Sequence, residues 1–427
     1  MAIAEGPDAG IGADVGVETA AAGGTGAAPA QEAHKAHEAQ QSRSAEQTHG
    51  QRVSWAETFF DLVFAFAVTQ VAGLAQNADN AVAVGRAMIL FVPLWWAWVG
   101  VSIVYNGIAM TSAKKHLRLF TSGLLAFVMS IEVPEAYGSR DRALIFAVAY
   151  LCVRALLYWS VWRRGLFPFR LHPFMVSFTI SAPLFVVGAL ASLPARGWIW
   201  LAAGLVELAN PSVLARRFDA MRFEAAHLPE RFGLFVIIAL GEVLVGVGSQ
   251  ESHQGLGWLQ LGTLVLAFVL CCALWWTYFH FAASAMEHAL REARIQAEVV
   301  RNVFSRAHLA MVIGLVLTAS GLTQAVRTPL AYPSGVHSWF LGAGTALYVL
   351  TFCYTRIRMF GGTGIARLGA GLLAAALAAA GTLLPTIATL AAVVALLIAL
   401  NVFESWIVTS GRAVPVLRVG TGAVPGS

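Results

Sequence analysis

Glu230-Arg-Phe-Gly-Leu-Phe-Val-Ile-Ile-Ala-Leu-Gly-Glu242-Val-Leu-Val-Gly-Val-Gly248 is the stretch whose reading decides the fold. It is apolar enough to enter a bilayer, yet Glu230 stands at its start and Glu242 in its body. As a helix rising about 1.5 Å per residue, it sets the two carboxyl groups about 18 Å apart along its axis. With Glu230 at one interface, Glu242 falls near the middle of a hydrocarbon core about 30 Å thick. A charge there costs about 2.5–3.5 kcal/mol on insertion scales, so the residue calls for a partner or a function. The stretch has an upstream echo, Glu57-Thr-Phe-Phe-Asp61-Leu-Val-Phe-Ala-Phe-Ala-Val-Thr69. Both copies begin Glu-x-Phe and continue as an apolar helix.

The rest of the chain has the same character. Of 427 residues, 58% are hydrophobic and 12% charged, and the mean hydropathy is +0.69. A soluble domain carries about 25% charged residues, so the expected fold is an all-α polytopic membrane protein whose main partner is the lipid bilayer. The net charge of +5 is spread over loops, which suits a membrane bias and not a nucleic-acid partner. Cys152, Cys271, Cys272 and Cys353 all lie in apolar runs, with neither zinc spacing nor a disulfide framework, and are expected to be buried, inert thiols.

Residues 1–50 are Ala, Gly, Gln, Glu and Ser with few large apolar side chains. They are expected to form a disordered cytoplasmic tail, without the apolar core of a signal peptide. Twelve apolar spans follow, at about 57–76, 87–106, 118–135, 143–162, 174–193, 197–215, 231–249, 258–282, 303–325, 337–355, 366–383 and 386–409. Pro134 and Pro183 blur the third and fifth, and Pro385 marks the break before the last. Loops after even-numbered spans, with the two tails, hold 22 Lys and Arg; the opposite loops hold 5, and Arg154 lies within the fourth span. That asymmetry predicts a multi-pass protein of the plasma membrane with both termini cytoplasmic.

The spans also predict two parallel six-helix repeats, residues 51–217 and 218–410, ahead of a short cytoplasmic tail at 411–427. Glu57-x-Phe59 aligns with Glu230-x-Phe232, and Trp95-Trp96-Ala-Trp98 with Trp275-Trp276-Thr-Tyr278. Halves with an even number of spans enter with one orientation, which places a pseudo-two-fold axis along the membrane normal. The competing reading makes the Trp pairs interfacial belts that match by accident.

Glu57 and Asp61, four residues apart, share a helix face. With Glu230, and with Arg52 and Arg231 beside them, they are expected to form a charged cluster, either an ion or proton site or a salt-bridge network that fixes helix entry. The macrodipole also favours carboxylates at a helix start. For Glu242 the candidate partners are His308, Arg154 and His280, and a satisfied interhelical hydrogen bond is the competing reading of the residue. Glu132, Glu207 and Glu404 are further bundle-facing acids. Gly241, Gly246 and Gly248 suggest close helix packing. Met286 to Arg306 alternates acids and bases, as in a solvated or interfacial helix. No Walker loop, dinucleotide fingerprint, His-Glu-x-x-His helix or Gly-x-Ser-x-Gly elbow occurs, so neither a cofactor nor a metal is expected.

Ala56-Glu57-Thr-Phe59-Phe60-Asp61-Leu62-Val63-Phe64 resembles the first signature of the bacterial low temperature requirement A proteins. Glu230 to Phe235 with Leu240-Gly241-Glu242 resembles the second, and Arg306-Ala-His308-Leu-Ala-Met311 through Gly314 the third. Thr58 and Val243 stand where the family usually has Leu and Ser. The resemblance, over about residues 50–410, implies a polytopic membrane protein linked to growth in the cold and brings no mechanism. The leading functional expectation is a transporter or channel-like protein for a small solute or ion, coupled to a cation or proton, in which Glu57, Asp61, Glu230 and Glu242, with His308 and Arg154, bind or relay the ion. An integral-membrane enzyme acting on a lipid or apolar substrate, or a sensor or scaffold, is the alternative. The sequence neither requires nor forbids an oligomer.

Reporter fusions after Gly165 and Gln296 should report cytoplasm, and fusions after Gly138 and His253 the opposite side. A cytoplasmic signal from either of the last two would overturn the span order.

Overall fold

Hydrocarbon leaves backbone N–H and C=O groups no water to bond, so a chain this apolar must satisfy them internally, and helices do so within each segment. The computed structural model describes residues 53–106, 112–165, 171–219, 221–251, 257–362 and 364–410. The tails expected at 1–50 and 411–427 lie outside the described residues. Among the described residues there is no strand. The long helices in chain order are α1 (Trp55–Gln76), α2 (Ala81–Tyr105), α3 (Ala113–Glu135), α4 (Arg140–Arg164), α5 (Pro173–Leu190), α6 (Ala195–Val213), α7 (His227–Glu251), α8 (Trp258–Glu292), α9 (Gln296–Arg327), α10 (His337–Phe360), α11 (Ile365–Ala379) and α12 (Thr386–Thr409). Ten are long and apolar enough to cross a membrane. The other two are α6, whose Arg196, Glu207 and Asn210 dilute its apolar surface, and α11, whose 15 residues rise only about 22 Å.

Neighbours follow one order. α1 lies against α2 and α3, α3 against α4, α4 against α5, α5 against α6, and α2 against α6. In the second half α7 lies against α8 and α9, α9 against α10, α10 against α11, α11 against α12, and α8 against α12. Between the halves, α1 touches both α7 and α9. α1 and α7 run parallel, because Asp61 meets Arg231 near both N-termini and Thr69 meets Glu242 further along both.

The helix that is apolar all round takes the centre, as burial of such a surface requires. From Leu90 to Tyr105 every side chain of α2 is buried. Trp95, Trp96 and Trp98 are therefore core residues, while Trp275 and Trp276 of α8 remain exposed; the first set forms no interfacial belt. The cysteines divide as well: all four are free, Cys271 and Cys353 are buried, and Cys152 and Cys272 lie on the outer face, against the expectation that all were buried.

Pro183 does not end α5. Its ring would clash with the carbonyl four residues back, and the helix widens to five-residue hydrogen bonding over Ser177–Ser181 just before it. Similar wide turns occur at Tyr278–Ala282 in α8 and Val300–Ala307 in α9. The charged stretch 286–306 belongs to α8 and α9. Its Arg291 and Glu292 are exposed, as expected of an interfacial segment, but Arg301 is buried.

Glycine governs the second half, though not at the positions expected from sequence. A Cβ on Gly241, Gly246 or Gly248 would meet nothing within 4 Å. On Gly344 it would come within 2.5 Å of the Thr318 nitrogen, and on Gly342 within 2.4 Å of the Ala378 nitrogen. Gly314 and Gly321 meet α10 backbone at 2.8 and 2.7 Å in the same way. Backbone contact this close, without a side chain between, is how helices associate in lipid. Gly344→Val or Gly342→Val should sharply lower folded yield, measured by size-exclusion of detergent-solubilised protein, whereas Gly241→Val should leave it near wild type.

Candidate functional site

The first turn of α1 is a capping box. Ser54 Oγ accepts from the Glu57 amide at 3.3 Å, and Glu57 Oε2 accepts from the Ser54 amide at 3.0 Å. That bond fixes Glu57 one turn below Asp61, on the side facing α7. Arg231 of α7 reaches between them: Nη2 donates to Asp61 Oδ1 at 2.9 Å, Nε lies 3.3 Å from both Asp61 oxygens, and Nη1 donates to Glu57 Oε1 at 3.3 Å. Trp98 of α2 donates from Nε1 to Asp61 Oδ1 at 2.7 Å, and His227 Nε2 stands 3.2 Å from Glu57 Oε2. The other nitrogen of His227 is 3.3 Å from Asn106 Nδ2. Asp61 and Arg231 are each 0% exposed. The guanidinium also lies 5.4 Å from the Phe60 ring centre, a cation–π distance.

Such a group is costly unless every member is matched, since each buried ion gives up several kcal/mol of hydration. Here the fork of Arg231 satisfies two acids at once, as its planar geometry allows. Arg231, named in the sequence only as a neighbour of the acids, is the residue that joins them. Glu230 does not enter the cluster. One residue earlier on the helix, it points about 100° away, is exposed, and meets the Val53 amide at 3.4 Å.

Elsewhere in the bundle nearly every acid has an arginine. Glu207 of α6 lies 3.2 Å from Arg154 of α4, takes a bond from Ser177 at 2.8 Å, and also takes the Tyr150 hydroxyl, to which Arg154 Nε donates at 2.9 Å. Glu404 holds Arg367 at 2.6 and 2.8 Å, and Glu132 holds Arg142 at 3.1 Å. Glu242 is the exception. Half-buried on α7, it is bonded to the Thr69 hydroxyl of α1 and forms no ion pair among the described residues. None of its three expected partners serves it. Arg154 is held by Glu207, His280 stacks on Trp276, and His308 is engaged on both nitrogens. The Val303 carbonyl, 2.9 Å from His308 Nδ1, can only accept. Nδ1 therefore carries a proton, and in the neutral ring Nε2 accepts from the Tyr278 hydroxyl at 2.8 Å. Among the described residues no three His, Cys, Asp or Glu side chains converge as a metal site.

Parallel apolar helices joined by fully buried ion pairs define a polytopic helical membrane protein. The chain belongs to the family described as bacterial low temperature requirement A protein (LtrA), which it matches over residues 52–402. It is similar to "Uncharacterized protein RA0937" of Rhizobium meliloti (strain 1021), 29% identical over 314 residues, or 69% of this chain and 74% of the other. No solved structure matches.

Arg231→Met should strand Glu57 and Asp61 in the core and destabilise by about 3–5 kcal/mol. Adding Glu57→Gln and Asp61→Asn should recover most of the loss in thermal unfolding in detergent. No loss in the single variant, or no recovery in the triple, would show that the ion pairs do not hold α1 to α7.

Proposed function

We propose that this protein is a transporter of the plasma membrane, with both termini cytoplasmic, that moves a small solute coupled to a proton or cation between two six-helix halves. The observation that carries the proposal is Glu242, the membrane-embedded acid that has a hydroxyl where Asp61, Glu132, Glu207 and Glu404 each have an arginine. A carboxylate at that depth without a fixed cation needs a mobile one, and a proton is the simplest. Thr69 suits both states of the acid. Its single hydrogen can go to the Ala65 carbonyl, 3.1 Å away, while its oxygen accepts from the protonated acid, or it can turn to the ionised acid. A proton can thus come and go without leaving a broken hydrogen bond.

The arrangement of the halves supports the path. Thr69 and Glu242 stand 173 residues apart, the same interval as Glu57 and Glu230. Equivalent positions touch only near the axis that relates them, and between parallel helices that axis runs along them, as in transporters built from parallel repeats. The matching neighbour order in α1–α6 and α7–α12 agrees with this axis. On this reading α6 and α11 also cross, completing twelve spans, and the Arg231 cluster is the hinge end of the α1–α7 seam.

Glu242→Gln keeps the size and bonding of the side chain and removes its charge. In proteoliposomes carrying an imposed pH gradient, the wild type should acidify or alkalinise the lumen in the presence of its solute, screened from a panel of ions and small metabolites. The Gln variant, at equal abundance and with unchanged melting behaviour, should lose at least about tenfold of that rate, as general acid–base groups do when removed. Full activity in the variant would make Glu242 a packing residue and remove the ground for coupling.

A further inference from the structure

Away from the α1–α7 seam, a cavity lies among α2, α4, α5, α6 and α9, where the C-terminal parts of three helices meet the N-terminal parts of two others. It is partly open to the outside, and its cavity volume is about 40 Å³. Trp96 and Phe174 give it apolar walls, and Arg154, Arg301, Asn210 and Ser177 give it polar ones. Two of the wide turns supply these groups: Ser177 opens the one in α5, and Arg301 lies in the one in α9. Helical stretches of this kind occur frequently at functional sites, because the extra residue per turn re-aims side chains.

The polar wall is under-used. Arg301 is 9% exposed, yet among the described residues its Nε and Nη1 have no hydrogen-bond acceptor, and Asp219 is 3.8 Å from Nη1. Arg154 is 2% exposed and its Nη2, 3.2 Å from Glu207, is outside hydrogen-bond geometry. Asn210 donates to the Pro173 carbonyl at 2.8 Å while its buried Oδ1 has no donor among the described residues. Buried donors left empty cost about 1–3 kcal/mol each, so a site that holds several in a cavity is built to be filled. Charge decides by what. Glu207 offsets Arg154, but Asp219 is about a third exposed and offsets Arg301 weakly, and Arg306, on the next turn, bonds Asn302 and the Leu208 carbonyl and forms no ion pair among the described residues. The lining keeps a positive excess. Gly100 clears the approach, since a Cβ there would come within 3.1 Å of Arg154 Nη1 and 2.6 Å of Leu157 Cδ1.

We propose that this cavity binds an oxyanion, a carboxylate or phosphate, carried on a compact apolar body: the anion on Arg301 and Arg154, its neighbouring donor on Asn210, and the apolar part against Trp96 and Phe174. Guanidinium forks match such anions with paired, charge-assisted bonds, and a mostly apolar pocket with a few convergent polar groups is the usual form of a small-ligand site. The proposal concerns equilibrium binding and holds whether or not the chain transports.

The test uses the full chain in nanodiscs of zwitterionic lipid, titrated separately with benzoate and with inorganic phosphate, and compared with nanodiscs containing phosphatidylglycerol. Melting temperature and calorimetric binding are the readouts. At least one probe should stabilise the protein. Arg301→Gln should weaken that binding about tenfold or more, as loss of a charge-assisted pair does, with an unchanged ligand-free melting temperature. Arg154→Gln alone strands Glu207, so Arg154→Gln with Glu207→Gln serves as the second variant and should weaken binding similarly. A response to benzoate or phosphate identifies a soluble ligand, and a response to phosphatidylglycerol alone identifies a lipid headgroup; either upholds an oxyanion site if the variants lose it. No response to any probe up to about 10 mM, where even a weak site would fill, overturns the proposal, as does equal binding by both variants.

Discussion

A charge inside a bilayer must be neutralised where it stands, and the arrangement of helices follows from how this chain does it. Arg231 reaches from α7 to the two acids of α1, and Trp98 of α2 completes the coordination of Asp61. Three helices are thereby fixed in register at one end. Apolar side chains cannot supply that register, because lipid offers them the same contacts that a neighbouring helix does. Arg154 with Glu207, and Arg367 with Glu404, do the same for α4 with α6 and for α11 with α12.

The same constraint gives Glu242 its meaning. Asp61, Glu132, Glu207 and Glu404 each have an arginine, whereas Glu242 has the Thr69 hydroxyl. The Arg231 cluster and the Glu242–Thr69 contact lie on one seam about three turns apart, the first an ion-pair network and the second a hydrogen bond between a hydroxyl and an acid. That contrast, a matched cluster beside an acid without an arginine, is the ground on which transport is proposed.

The two halves are held by different means. The first has large buried aromatics along α2. In the second, glycine lets α9, α10 and α11 approach backbone to backbone. The cavity with Arg154 and Arg301 lies among helices of the first half and the start of α9.

Much was legible in the sequence because hydrophobic length is a local property. Apolar runs with turn-forming breaks mark helices wherever they occur, and all twelve are helical. The Glu-x-Phe motifs and the 306–314 motif carried the family. That Glu57 and Asp61 share a face follows from helix periodicity alone. What lay beyond local reading was which face meets which. Glu230 and Arg231 are adjacent in sequence, and a rotation of about 100° sends one outward and the other into the core. Of the two readings of Glu242, a cationic partner or an interhelical hydrogen bond, the structure shows the hydrogen bond, to Thr69; Gly241 and Gly248 fit a packing stripe and face open space, while Gly342 and Gly344 touch backbone. The sequence by itself determined the helices, their apolar character and the acids that need partners. Only the tertiary structure decided the partners, because pairing depends on the relative rotation of helices far apart in the chain, and in lipid that rotation is set by the few polar and small residues that happen to meet.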